Sequence, residues 1–247
     1  MRLQVIGTGS TGNCYVVHAD GNKLLLDAGV PIRKIVQALG GLDGVAGCLL
    51  THEHGDHSAA VSELAARGVD VVASEGTLAA LHTDGLLRRF KVISALSTTR
   101  LGQFTVVAFD TQHDAAEPLG YVVRYEPTGE TLLYATDTFY LRNTFPGINY
   151  WIVECNFDEE VAFQQQEAGE LNQTLRNRLV RSHMSLRRLK ETLAANDLRQ
   201  THCIVLVHLS DARSNEERMV TEINQQTGIT TVAASTGIDI PLERAPF

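Results

Sequence analysis

The stretch LLTHEHGDHS, Leu49 to Ser58, closes an apolar run with His52, His54, Asp56 and His57 in close succession. A tight loop at the end of a strand, here predicted over Gly47 to Thr51, can aim all four side chains into one pocket. Imidazole and carboxylate together suit zinc, manganese or iron rather than calcium. Four such ligands, with no cysteine among them, exceed what one tetrahedral catalytic zinc takes from a protein, so two divalent ions are expected. A solvated loop that is merely rich in histidine is the plain alternative.

Outward from this motif the chain alternates between strand and helix patterns. Leu3 to Ile6, Cys14 to Val17 and Lys23 to Leu26 read as short strands separated by Gly, Asn and Asp turns. Pro31 starts a helix that runs through Leu39 and stops at Gly40 and Gly41. After the motif come a helix over Ser58 to Arg67, a strand over Val69 to Ala73 and a helix over Glu75 to His82. A period of two returns at Phe104 to Phe109, Gly120 to Tyr125 and Thr131 to Ala135. Strands follow at Tyr150 to Val153, Cys203 to Val207 and Thr230 to Ala233, with helices near Gln173 to Arg181, Ser185 to Ala195 and Asn215 to Gln226. Two strand groups, each with its own helices, predict two sheets packed face to face with helices outside.

Composition sets the frame for these elements. With 247 residues, 44% hydrophobic and 20% charged, the chain fits one α/β domain over 1–247 with one large core. It contains no run approaching a membrane span, and MRLQVIGTGS lacks the plan of a signal peptide, so a cytoplasmic location is expected. Cys14, Cys48, Cys155 and Cys203 form no CxxC pair and read as buried small hydrophobes. A net charge of −8 argues against an all-over basic nucleic-acid binder while leaving room for a local basic groove.

Further ligand-type residues stand at strand ends: Asp27 closes KLLLD, His113 follows FTVVAFD, Asp137 closes TLLYATD and His208 closes CIVLVH. Each alone reads as a turn or cap residue. In this order, LLLDAG, THEHGDH, His113, the TDT around Asp137 and His208 resemble the metallo-β-lactamase superfamily, over most of the chain from Gly7 to His208. The resemblance implies a four-layer αββα sandwich with a dinuclear site at one edge of the sheets. It implies one metal on His52, His54 and His113, a second on Asp56, His57 and His208, Asp137 as the bridge, and Asp27 as an outer carboxylate that orients the ligands. Zinc or manganese fits best, and iron also suits the donors, although His54 stands where redox-active di-iron members carry Glu. Two such ions lower the pKa of a bridging water, supply hydroxide as nucleophile and clamp the developing charge, which makes the chemistry hydrolysis.

STGNCYVV from Ser10 to Val17, HDAAEPLGYVV from His113, VECNFDEE from Val153 and the later RSHMSL and VLVHLSD resemble the YycJ/WalJ branch of the superfamily. That branch implies a metal-dependent DNA exonuclease linked to mismatch repair. Where the branch usually has Gly-His-Leu-Ser-Asn, this chain has Ser182, His183, Met184, Ser185 and Leu186, departing at the first, third and fifth positions. A physical feature points the same way: Asn172 to Lys190 holds Arg176, Arg178, Arg181, Arg187, Arg188 and Lys190 and no acidic residue. Such a segment can neutralise backbone phosphates, and it can also be a solvated helical face.

Arg181, Ser185, Arg187 and Arg188 are therefore the expected substrate contacts, and Asp56, Asp137 and His183 the expected catalytic residues. His183 would bind the scissile phosphate or protonate the leaving oxygen, unless Ser182 or Ser185 only caps a helix beside an exposed imidazole. Glu154 ends a strand, and its position in the resemblance implies a place near the site without an assigned role; His18, His82 and His202 receive none. Two other readings stay open. One is a different metallohydrolase, such as an RNA-processing nuclease, a small phosphodiesterase or a lactone or thioester hydrolase. The interval of about seventy residues between Asp137 and His208 leaves little room for an inserted domain. The other is a binding module that keeps the fold without the activity.

Overall fold

The computed structural model describes residues 1–81, 88–210 and 212–243. His82, where the third predicted helix was to end, and Asp211 of VLVHLSD lie outside the described residues. The strands are β1 Arg2–Gly7, β2 Cys14–Ala19, β3 Asn22–Leu26, β4 Val45–Leu49, β5 Val71–Ala73, β6 Phe90–Val92, β7 Thr98–Leu101, β8 Phe104–Asp110, β9 Leu119–Tyr125, β10 Thr131–Ala135, β11 Tyr150–Glu154, β12 Cys203–Val207, β13 Thr230–Ala233 and β14 Asp239–Pro241. The helices are α1 Ile32–Leu39, α2 Gly55–Ser58, α3 Val61–Ala66, α4 Glu75–Ala80, α5 Glu159–Glu167, α6 Gln173–Ser182, α7 Leu186–Ala194 and α8 Glu216–Thr227.

The strands form two mixed seven-stranded sheets, ordered β14-β1-β2-β3-β4-β5-β6 and β13-β12-β11-β10-β9-β8-β7. Alternation along each strand sorts its side chains between layers. In β3, Leu24 and Leu26 enter the core between the sheets, where they meet Tyr134 and Ile152, while Leu25 faces Ile35 and Leu64 of the outer helices. On the far side, Trp151, Val153 and Leu206 pack against Leu189, Leu193, Met219 and Ile223 of α7 and α8. Three apolar interfaces between four layers make this the expected αββα sandwich. No helix among the described residues is long and apolar enough to cross a membrane.

Strands β3, β4 and β5 run parallel in one sheet, as do β10, β11 and β12 in the other. The loops leaving their carboxyl ends gather at one edge of the sandwich, the place where layered α/β folds commonly bind ligands. Three residues just past these strands, Asp27, Asp137 and His208, have positive φ of 57°, 47° and 55°. Left-handed backbone is unfavourable for residues with a side chain and concentrates at functional sites.

Several elements depart from the sequence expectation. The helix expected over Ser58 to Arg67 is split into α2 and α3. The Ala60 N–H donates to Ala28 O at 2.9 Å, and the Ala28 N–H to His57 O at 2.8 Å, which draws this backbone out of the helical ladder and onto the loop after β3. Strand β7 is a largely exposed edge that pairs with β8 across a two-residue turn, so its sequence lacks the apolar alternation of a half-buried strand. Helix α5 buries only Ala162 and carries no apolar stripe. The three-residue strands β6 and β14 are too short to show a period.

Candidate metal centre

The loop after β4 brings His52, His54, Asp56 and His57 to the edge where Asp27, Asp137, Glu154 and His208 end their strands. Close backbone approach makes this possible. A Cβ on Gly29 would lie 1.7 Å from Asp56 O, and one on Gly12 would lie 2.3 Å from Gly29 O, so glycine is the residue that lets three loops stack at van der Waals contact.

Ligand atoms fall into two adjoining groups. His52, His54 and His113 form the first, and Asp56, His57, Asp137 and His208 the second, with the donor atoms of each group within 4.8 Å of one another. Asp137 Oδ2 faces both, at 3.5 Å from His52 Nε2, 3.7 Å from His113 Nε2 and 3.0 Å from His57 Nε2. Asp56 Oδ2 lies 3.6 Å from His57 Nε2 and 3.8 Å from His208 Nε2. Donors around a tetrahedral ion with bonds of about 2.0–2.2 Å are about 3.3–3.6 Å apart, so these spacings leave room for an ion at each group.

The outer hydrogen bonds set the tautomers, as assigned from partners. His57 Nδ1–H donates to Asp27 Oδ2 at 2.8 Å, and His113 Nδ1–H donates to Ser182 O at 3.0 Å. Thr51 Oγ1 lies 3.0 Å from both Asp27 carboxylate oxygens and 3.0 Å from His52 Nδ1, so it donates to Asp27 and accepts from His52. Asp27, fully buried, also accepts from the Tyr134 hydroxyl at 2.6 Å and the Thr51 N–H at 2.8 Å. In each imidazole the bond at Nδ1 leaves Nε2 directed inward. His52 Nε2 and His208 Nε2 are buried and have no hydrogen-bond partner among the described residues. Buried polar atoms are otherwise nearly always paired, and a Lewis-acidic ion satisfies both. The donor set therefore fits divalent metal ions.

Charge within the cluster is tightly coupled. Burial opposes a charged His57, but Asp137 and Asp27 outweigh it and hold the imidazole up at about 10. His208 also stands well above its ordinary range, since Asp137, Asp56 and Glu154 overcome its burial. His52 lies well below, through burial and the neighbouring charge on His57. Despite its burial, Asp137 is held far below the usual carboxylate range by His208 and His57.

The sequence profile of the Beta-lactamase superfamily domain matches residues 22–209, which span the cluster and both sheets. The chain belongs to the metallo-β-lactamase superfamily. It is 28% identical over 239 residues to the exodeoxyribonuclease WalJ of Streptococcus pneumoniae, covering 91% of this chain and 87% of that one. It is 33% identical over 174 residues to the exodeoxyribonuclease YycJ of Bacillus anthracis, 65% of each chain. The metallo-β-lactamase fold protein YhfI from Bacillus subtilis superposes with a TM-score of 0.74 at 16% identity, covering 96% of this chain and 98% of that one.

Two residues of this superfamily member that had no assigned role also meet the cluster: Glu154, whose place near the site the resemblance implied, and Asn13. Glu154 is fully buried, and its Oε1 lies 2.7 Å from His183 Nδ1 and 3.2 Å from His208 Nδ1. Its Oε2 accepts from the N–H groups of Thr138 and Met184. The Asn13 amide contacts His57 Nε2 at 3.1 Å and donates to Gly9 O. Strand-end placement in VECNFDEE signalled Glu154, whereas Asn13 precedes its strand and gave no chemical signal.

Helix α6 ends against the cluster through the His113 to Ser182 bond, and His183 follows directly. Arg178 and Arg181 line a cavity of about 400 Å³ beside His113, together with Phe139. The expected contacts on α7 are engaged elsewhere. Ser185 caps α7 by accepting from Arg188 N–H and donates to Glu159; Arg187 pairs with Glu159 and Arg188 with Glu191. Arg187 borders a separate cavity between α5, α7 and α8. The helical cap and the site contact, posed as alternatives for this segment, both occur: Ser185 is the cap and His183 faces the cluster.

Proposed function

We propose that the protein is a metal-dependent phosphodiesterase that shortens DNA from its ends, with two divalent ions, zinc or manganese, at the cluster. The observation that carries this reading is the pair of buried atoms without a hydrogen-bond partner among the described residues, His52 Nε2 and His208 Nε2, in two adjoining donor groups that Asp137 faces. The similarity to chains named exodeoxyribonucleases supports DNA as the polymer, and a place in mismatch repair is part of the same reading.

When bound, the ions supply an activated water and neutralise charge on the phosphate. His52, His54 and His113 would hold one ion and Asp56, His57 and His208 the other, with Asp137 facing both groups. Asp27 keeps His57 and, through Thr51, His52 turned inward. His183 is raised above its ordinary range because the Glu154 carboxylate outweighs the cost of burial. At 22% side-chain exposure it is open to solvent beside the cluster and can give a proton to the leaving oxygen. Arg178 and Arg181 line the approach and neutralise strand phosphates, and Phe139 offers a face on which a base can stack.

The test is a time course on end-labelled duplex DNA, single-stranded DNA and RNA with manganese, repeated with chelator and with Asp56→Ala. Metal-dependent shortening of DNA that the variant lacks supports the reading. Intact polymers alongside cleavage of a small phosphodiester would reduce it to a phosphodiesterase of small substrates.

A further inference from the structure

The loop between β1 and β2, which opens the stretch STGNCYVV, comes to rest against the second donor group. Asn13 at its end is fully buried, and its partners fix the orientation of its amide. Oδ1 accepts from the Gly9 N–H at 2.9 Å and from the Tyr15 hydroxyl at 3.1 Å, so Nδ2 faces the cluster. One Nδ2 hydrogen goes to Gly9 O at 3.1 Å, and the other faces Asp56 O at 3.4 Å and His57 Nε2 at 3.1 Å. The main chain repeats the tie, since the Asn13 N–H donates to Asp56 O at 2.7 Å.

From Asn13 the bonds continue to the opposite sheet. The Tyr15 hydroxyl gives its proton to Asn13 and therefore accepts from Thr8 Oγ1 at 2.8 Å, and Thr8 Oγ1 in turn accepts from the His208 N–H at 3.2 Å. The chain of bonds runs in one direction, from His208 through Thr8 and Tyr15 to Asn13 and the motif loop. Tyr15 is fully buried, where an unmade hydrogen bond is costly, so the chain holds as a unit. His208 follows β12 in one sheet, whereas Asp56 and His57 follow β4 in the other. Glu154 and Asn156 orient the His208 ring, but both stand at the end of β11 in its own sheet, so neither fixes its distance from the motif loop. At the first group the bonds between the sheets are different ones: the Leu119 N–H donates to Thr51 O at 2.9 Å, and the Ala116 N–H to Glu53 Oε1 at 2.8 Å.

We propose that Thr8, Tyr15 and Asn13 are positioning residues for the second group alone. They set the separation of His208 from Asp56 and His57, and with it the affinity for the ion held there. The proposal rests on the two-ion reading above.

Zinc affinity, measured by competition with a chromophoric chelator, tests this without any turnover. Two backgrounds separate the groups: His54→Ala leaves the second group intact, and Asp56→Ala leaves the first. In His54→Ala, adding Thr8→Val, which keeps the shape of the side chain and removes its hydroxyl, should weaken zinc binding at least about tenfold, the usual effect of losing an outer partner. Adding Thr8→Ser, which keeps the hydroxyl, should leave the affinity within about twofold. Tyr15→Phe breaks the next bond in the chain and should act as Thr8→Val does. In Asp56→Ala the same substitutions should change zinc affinity by less than about twofold, because the first group shares none of these bonds. Equal weakening in both backgrounds would show a general loss of structure and overturns the proposal, as does unchanged affinity in His54→Ala. An unaltered protein that binds fewer than two equivalents of zinc overturns the two-ion reading and the proposal with it.

Discussion

Glu154 Oε1 sits between two imidazoles, 2.7 Å from His183 Nδ1 and 3.2 Å from His208 Nδ1. One buried carboxylate thus ties a candidate metal ligand to a candidate proton donor. Glu154→Gln keeps the shape and removes the charge that raises His183. The expected result is a kcat about 10–100-fold lower, the usual cost of altering an outer partner of a metal ligand. The upper limb of the kcat–pH profile should also move to lower pH, because His183 then gives up its proton earlier. An unshifted profile would show that Glu154 does not act through His183.

Asp56 is the most accessible of the second group's donors, with a 28% exposed side chain, and its removal leaves the sheets untouched. Asp56→Ala is expected to lower hydrolysis at least about hundredfold and to reduce bound metal, while circular dichroism stays unchanged. His57→Ala should do the same to activity, with some loss of stability, since His57 is fully buried. Full activity in both variants would sink the two-ion assignment.

Metal uptake should release protons. Without metal, His57 at about 10 is protonated at about pH 8, and His208 is raised as well by Asp137, Asp56 and Glu154, whereas Asp137 is already ionised. Titration calorimetry in buffers of different ionisation heat should therefore show a buffer-dependent enthalpy, and affinity should rise with pH toward about 10. The sign for folding runs the other way. A raised imidazole stabilises the metal-free fold below its unfolded value of about 6.5, and that contribution is lost as pH climbs to about 10. A buffer-independent enthalpy would contradict the protonation pattern.

All four cysteines are free and buried. Burial pushes every thiol up, Cys203 to about 11 and the other three further. The thiolate is the reactive form, so a disulfide reagent should label the native protein slowly and all the cysteines rapidly in denaturant. Rapid labelling of the native protein would show that one of these positions opens to solvent.

Gly29→Ala should be severely destabilising. Its added methyl would meet Asp56 O at 1.7 Å and Asp56 C at 2.1 Å, both backbone atoms that cannot turn aside. Poor yield or a melting point lowered by several degrees is expected, and an unchanged melting point would mean that the motif loop can move away without cost.

The residues His52, His54, Asp56 and His57 were legible because their arrangement is local: one loop delivers all four, and the chain order is the geometry. Strand alternation was equally legible in β8, where Phe104, Val106 and Ala108 enter the core and Thr105 and Val107 between them are partly exposed. What sequence could not rank was the basic segment. Arg178 and Arg187 are alike in composition, but the chain turns at Ser182 to Ser185 between α6 and α7. That turn leaves Arg178 at the cluster and gives Arg187 to Glu159. Glu154 beside His183 and Asn13 beside His57 were likewise decided by tertiary structure. Periodicity reports which side of an element is buried, whereas the meeting of loops from different strands depends on how two sheets pack, and no local pattern in the chain records that.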